Sequence, residues 1–391
     1  MNPSASGWIK KLRSDISDKD KLFACSPEAF YDALRECGFI YGSNLHIIDH
    51  RIPKNDLTEE ECCKVNLCLS FLHIYHHYKN DQSFVESVIG FYNDINALKT
   101  SIFDSLLSEK KTSEQLEKII NKRIQIDANV LTKNFNYFIV NALLYIDVLA
   151  YRHYLKNGEV STDYLKNLEA AIAAISLDVL LSKKEKNTYD ESLIKLFESS
   201  LRYQDQSPMS FEDAVKFIDS PLKKFYILDL ACMASWSDQV IDEKEHHFLK
   251  LLGSSLRLHE NRVTTSIAMI NTFYTKHKDN IALLSSKNIV QSFYDNSSKM
   301  VIKLITRNSK RLYRELKDSK ELMILLTQST VRDLNAEEQK KVHDQLFDIF
   351  KSIPSLAIFM LPGGALLLPL VIKFIPKLLP SAFDENRINE E

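Results

Sequence analysis

Val342, Leu346, Ile349, Phe350 and Ile353 fall at i, i+4, i+7, i+8 and i+11, one apolar face of a helix predicted over 336–352. Asn335, with Glu338 three residues later, predicts the cap that opens it. Behind that face the pattern changes. The stretch Ile353–Ile372, IPSLAIFMLPGGALLLPLVI, holds twenty residues without a charge, and Lys373 is the first charge after it. As a helix, such a run would span ~30 Å at ~1.5 Å per residue, the thickness of a bilayer's hydrocarbon core. It also contains Pro354, Pro362, Pro369 and the pair Gly363-Gly364. Breakers of this kind persist in lipid only where neighbouring groups satisfy the freed backbone. The expectation is a proline-broken membrane segment.

Upstream, the pattern is helical throughout, and no strand-period hairpin appears. Ser26-Pro27-Glu28 predicts a helix start, with Ser26 as N-cap and Pro27 in the first turn. Phe135–Tyr154 is strongly apolar but interrupted by Asn141, Asp147, Arg152 and His153, which predicts a buried core helix. Leu165–Leu181 repeats Leu, Ala and Ile at helical spacing, and residues 204–208 form a candidate linker. Phe225–Trp236 is an apolar helix, followed by an acidic turn and a second helix that should stop near Gly253. The predicted organisation is an N-terminal helical region (1–205), a helical domain with its following helices (206–328), the segment 329–383 and an acidic tail (384–391). The fold class is all-α.

Composition narrows the function. The 391 residues carry a net charge of −2, which argues against a protein devoted to nucleic acid. Glycine is scarce at 8, and 5 of the 10 prolines lie between Pro354 and Pro380, so the rest of the chain favours long helices. MNPSASGWIKKLRSD has no apolar h-region, so no cleaved signal peptide is expected. Cys25, Cys37, Cys62, Cys63, Cys68 and Cys232 lack regular spacing and read as reduced cytosolic thiols. His73, His76 and His77 at i, i+3, i+4 could offer metal ligands, but no companion pattern accompanies them, and packing is expected. No phosphate loop, dinucleotide fingerprint or nucleophile elbow is present, so no enzyme and no catalytic residues are expected.

The acidic turn carries a resemblance. Ser237-Asp238-Gln239, then Ile241, Asp242 and Glu245, between two apolar helices, resembles the tellurite-resistance TerB-like helical domain over about 70 residues. The resemblance implies a divalent metal at Asp238, Asp242 and Glu245. The residues themselves favour a cap and turn that needs no metal, with Asp242 and Glu245 as an acidic capping box.

The C-terminal stretch resembles the membrane segment of the leucine zipper/EF-hand-containing transmembrane (Letm-like) family. The features that carry it are DLNAEEQKKVHDQLFDIFKSIP, then Pro362, LLLP ending at Pro369, and KFIPKLLPSAF with Pro376 and Pro380. The combination with a TerB-like unit resembles bacterial Letm-related, biofilm-associated proteins. The resemblance implies helical membrane proteins linked to cation/proton exchange and, through a helical domain behind the segment, to ribosome contact. Ribosome contact is not expected to carry over, because that domain would lie past Glu391. Where the family places a glutamate, this chain has Ala365, and Ile353–Ile372 contains no ionisable group for a proton-coupled step.

Pro362, Pro369 and Pro376 are seven apart. In one helix they would share a face and free the carbonyls of Ile358, Ala365 and Ile372, a polar stripe for self-association or for a partner helix. A kinked or re-entrant anchor fits equally. Lys340, Lys341, Lys351, Lys373 and Lys377 are the expected lipid-headgroup contacts, with Lys303, Arg307, Lys310, Arg311 and Arg314 as a solvated basic face or a further one. Lysines before the run and a tail of net −3 after it put the bulk of the chain in the cytoplasm of a bacterial inner membrane. The expected role is a membrane-associated interaction or regulatory protein linked to cation homeostasis. The alternatives are a component of cation/proton exchange and a soluble helical protein with its C-terminal segment buried.

Overall fold

The computed structural model describes residues 2–16, 21–49, 57–78, 81–98, 112–124, 142–183, 194, 209–236, 241, 243–277, 298, 301–329, 332–353, 356 and 368–378. Among them every regular element is a helix. The first group is α1 (Trp8–Asp15), α2 (Lys21–Ala24), α3 (Pro27–Glu36), α4 (Glu59–His77), α5 (Phe84–Leu98) and α6 (Ser113–Ile124). Next come α7 (Tyr145–Asn157), α8 (Thr162–Ser182), α9 (Phe211–Phe217), α10 (Pro221–Ser235), α11 (Glu243–Ser255) and α12 (Glu260–His277). The last group is α13 (Ser309–Lys317), α14 (Lys320–Gln328), α15 (Ala336–Ser352) and α16 (Leu368–Leu378). A helical segment over 301–307 precedes α13.

Side-chain caps fix many of the starts. Ser26 accepts from the Ala29 N–H with Pro27 in the first turn, and Ser161 and Ser210 cap α8 and α9 in the same way. Thr58/Glu61 and Asn335/Glu338 form complete capping boxes on α4 and α15. The turn after α3 depends on Gly38, whose φ of +87° suits a residue without a Cβ; an added Cβ would lie 1.8 Å from the Ser43 carbonyl oxygen. α11 ends near Gly253, as predicted, but the helix continues to Ser255 and the glycine is not what ends it. A Cβ there would meet Val263 Cγ2 at 2.3 Å, so the glycine permits α11 and α12 to approach closely.

Apolar side chains collect into two cores. The first joins residues from Trp8 to Tyr274. α4 runs through it, packed by α2, α3, α6 and α7, while α10 packs against α8, α11 and α12. Both helices are buried nearly all round, as centrally placed helices must be. The second core joins residues from Val301 to Ile375 across α13 to α16. Apolar contact therefore runs continuously across residue 205, and again across residue 328.

Ion pairs serve the first core's polar residues. Arg35 and Asp229, both almost fully inaccessible, meet at 3.0 Å, and the Tyr31 hydroxyl donates to the same Asp229 oxygen at 2.7 Å. Arg123 holds Asp147 through two bonds of 2.6 and 2.8 Å, with Tyr92 adding a third donor. Asp147 is one of the residues that interrupt the predicted core helix at Phe135–Tyr154. Tyr145 to Tyr151 of that stretch are buried, and this pairing is what lets them include a carboxylate.

Candidate functional site in the C-terminal helical unit

α13 to α16 form the unit to which most of the sequence-predicted site residues belong. α15 matches the predicted helix, and its face Val342, Leu346, Ile349, Phe350 and Ile353 is buried in the second core. Arg332 grips Glu338 through two bonds of 2.7 and 2.8 Å. With the Asn335 backbone N–H also donating, this holds the Glu338 carboxyl down at about 2. α14 and α15 are tied by Lys341–Glu321 at 2.8 Å and by Ser319 donating to Gln345 at 2.8 Å.

The apolar run does not continue α15. That helix ends at Ser352, and Ile353 takes an extended conformation (φ −115°, ψ 100°) as its C-cap. The next described helix, α16, begins at Leu368. Pro354, Pro362, Gly363, Gly364 and Pro380 lie outside the described residues. Pro369 is the second described residue of α16, and residue 365, whose carbonyl its missing N–H would leave free, lies outside the described residues. The seven-residue stripe, one of two readings the sequence left open, therefore rests partly on residues outside the described ones. Pro376 does stand inside α16 and removes the donor for the Ile372 carbonyl. Ile353, Leu356, Leu370, Val371 and Ile375 are buried in the second core, and α16 packs on α14. Among the described residues no helix is long and apolar enough to cross a membrane.

The predicted headgroup lysines divide. Lys341 and Lys351 are engaged by Glu321 and Asp348 at 2.8 and 2.7 Å. Lys340 and Lys373 are exposed, and Lys377 belongs to α16. The basic stretch divides as well. Lys303 and Arg307 turn toward the first core, Lys303 donating to the Leu57 carbonyl and Arg307 gripping Glu61 through bonds of 2.7 and 2.8 Å. Lys310, Arg311 and Arg314 are exposed, with Arg311 donating to the Ser352 carbonyl at 2.5 Å.

Glu61 is the residue that sequence reasoning missed. It is 1% exposed and accepts four donors: both Arg307 nitrogens, the Ser4 hydroxyl at 2.6 Å and the Thr58 N–H at 2.9 Å. Burial works to raise its pKa. The bonds and charge of Arg307, with Ser4 and Thr58 adding, outweigh burial and hold the carboxyl below its ordinary range. The T-x-x-E spacing at Thr58–Glu61 is a capping-box signal that the sequence reading passed over. The partner of Glu61, 246 residues away, has no such signal.

The remaining sequence candidates have local partners. Glu245 is buried and meets Lys183 at 3.3 Å, while Asp238 and Asp242 lie outside the described residues. His73 stacks on Phe30 and faces the Cys25 carbonyl; burial pushes its pKa down to about 4 against the raising effect of that bond. His76 stacks on Phe23, and His77 contacts the His73 carbonyl. All six cysteines are free thiols.

No curated protein and no solved structure matches the chain. One family model does match: described as LETM1-like, RBD, it covers residues 334–391, less than half the sequence. RBD stands for a ribosome-binding domain, which was expected from the sequence to lie past Glu391. The match instead begins at α15 itself. It supports a Letm-like character for the C-terminal unit.

Proposed function

We propose that this chain is a membrane-associated helical interaction protein of Letm-like type, with the α13–α16 unit as its docking element. The observation that carries the reading is the coincidence of the LETM1-like, RBD match with the apolar run behind α15. The bulk of the chain would lie on the cytoplasmic side of a bacterial inner membrane, with regulation linked to cation homeostasis. The name of the matching family model makes the ribosome the first partner to test. The TerB-like resemblance of residues 209–276 adds a helical module of the biofilm-associated type. A divalent metal there would depend on Asp238 and Asp242, because Glu245 is engaged by Lys183. No catalysis is proposed, and cation/proton exchange is not favoured, since Ile353–Ile372 offers no ionisable side chain.

A second reading has its own observation: Ile353, Leu356, Leu370, Val371 and Ile375 are buried against the chain's own helices, as in a soluble protein with its C-terminal segment docked. One experiment separates the two. Membranes carrying the full-length protein are washed with carbonate and then detergent, beside a version ending at Lys351. Detergent-dependent release of the full-length chain alone supports the tether. Release of both by carbonate supports the docked segment and removes the tether. Co-sedimentation with ribosomes tests the partner, and deleting residues 336–391 should abolish any pelleting.

A further inference from the structure

We infer that α13 carries a docking surface for an anionic lipid bilayer, made by Lys310, Arg311 and Arg314. The inference rests on the membrane-associated reading above and names where the headgroups are met.

Three observations carry it. First, α13 is a two-faced helix. Leu312 and Leu316 are fully buried in the second core, and Lys310, Arg311 and Arg314, at i, i+1 and i+4, are exposed. Its only acid is Glu315.

Second, none of these cations has an ion-pair partner among the described residues. Lys341 and Lys351 on α15 are spoken for by Glu321 and Asp348, and Arg307 by Glu61. No carboxylate among the described residues pairs with Lys310 or Arg314, and Arg311 donates to a backbone carbonyl. A cluster in which cations outnumber acids and form no ion pair among the described residues favours an anionic partner.

Third, the carbonyl that Arg311 contacts belongs to Ser352, the last residue of α15. The next residue, Ile353, begins the uncharged run. The guanidinium therefore lies where the chain passes from a charged helix into twenty residues without charge. Cations beside the entry to an apolar segment are placed as headgroup contacts are. A nucleic-acid surface would call for aromatic faces among the cations. The aromatic residue of α13, Tyr313, packs against the second core and has Lys317, none of these three cations, over its ring at 6.0 Å.

The test uses the full-length protein with vesicles of phosphatidylcholine alone and of phosphatidylcholine mixed with phosphatidylglycerol. The variant Lys310→Gln/Arg314→Gln leaves Arg311 on Ser352, and Lys310→Arg/Arg314→Lys keeps the charge. Binding to the mixed vesicles should fall about fivefold for each cation removed and about thirtyfold for the pair. It should weaken with salt and stay unchanged in the charge-keeping variant. Equal binding of the native protein to both vesicle types, unaltered by Lys310→Gln/Arg314→Gln, overturns the surface and leaves the apolar tether standing. Binding to neither type overturns both. If the same variant lowers ribosome co-sedimentation while vesicle binding is unchanged, the surface belongs to the ribosome and the lipid assignment falls.

Discussion

Replacing Arg307 with alanine should weaken the junction between the two cores far more than a surface ion pair would. Glu61 is almost inaccessible, and two of its four bonds come from Arg307. Breaking a buried pair by removing one partner costs roughly 3–5 kcal/mol, because the other charge is left without compensation. Here Ser4 and Thr58 still donate to the carboxylate, which argues for the lower end, about 3 kcal/mol. The double variant Arg307→Met/Glu61→Met removes both charges and should lose less than the two single changes added together, with a coupling of about 2 kcal/mol. The pH dependence has a fixed sign. The Glu61 carboxyl titrates below its ordinary 4.5 in the folded chain, so its contribution is complete above that value and is lost as pH falls through the lower folded one. Acid should therefore loosen the junction, and Arg307→Ala should flatten that dependence. Trp8 and Trp236, the chain's two tryptophans, both belong to the first core, so urea unfolding followed by their fluorescence reports on that half. Limited proteolysis near residue 300 reports release of the other half. Coupling below about 0.5 kcal/mol, with unchanged cleavage in all three variants, would refute the reasoning.

Gly38→Ala should cost about 3–5 kcal/mol, since it combines a left-handed backbone with overlap on the Ser43 carbonyl, and a thermal melt reads it directly. Asp147→Ala strands Arg123 and removes the acceptor of Tyr92; a loss of roughly 3–5 kcal/mol by urea titration is expected. Val371→Asp places a charge in the second core and should sensitise residues 301–378 to protease, whereas unaltered protection would put α16 outside that core.

Local signals were legible where the cause was local. Ser26-Pro27 and Asn335-Glu338 gave two helix starts because cap and backbone lie within one turn. The five-residue face of α15 was readable because a half-buried helix repeats its apolar positions. α4 offered no such face: it is buried on nearly all sides, with Asn66, Ser70 and His73 inside among its cysteines. Partners distant in sequence were invisible. The pairs Arg35–Asp229 and Glu61–Arg307 join helices that no periodicity relates, so Arg307 read as part of a solvated stretch. Gly253 was read as a stop because its use, a close crossing with Val263, belongs to the helix opposite. In the candidate unit, the apolar run was evident from the absence of charge. The end of α15 at Ser352 was legible as well, whereas a helix over 368–378 was not, because prolines mark where a helix cannot continue without saying where the next one runs.

Leu370 and Val371 close the apolar run and Ile375 stands just past it, yet all three complete the second core, where α16 lies on α14. The same side chains cannot face hydrocarbon tails and the second core at once. Any movement of α16 into lipid would have to take Leu370, Val371 and Ile375 out of the second core, so the segment cannot be docked and inserted at once.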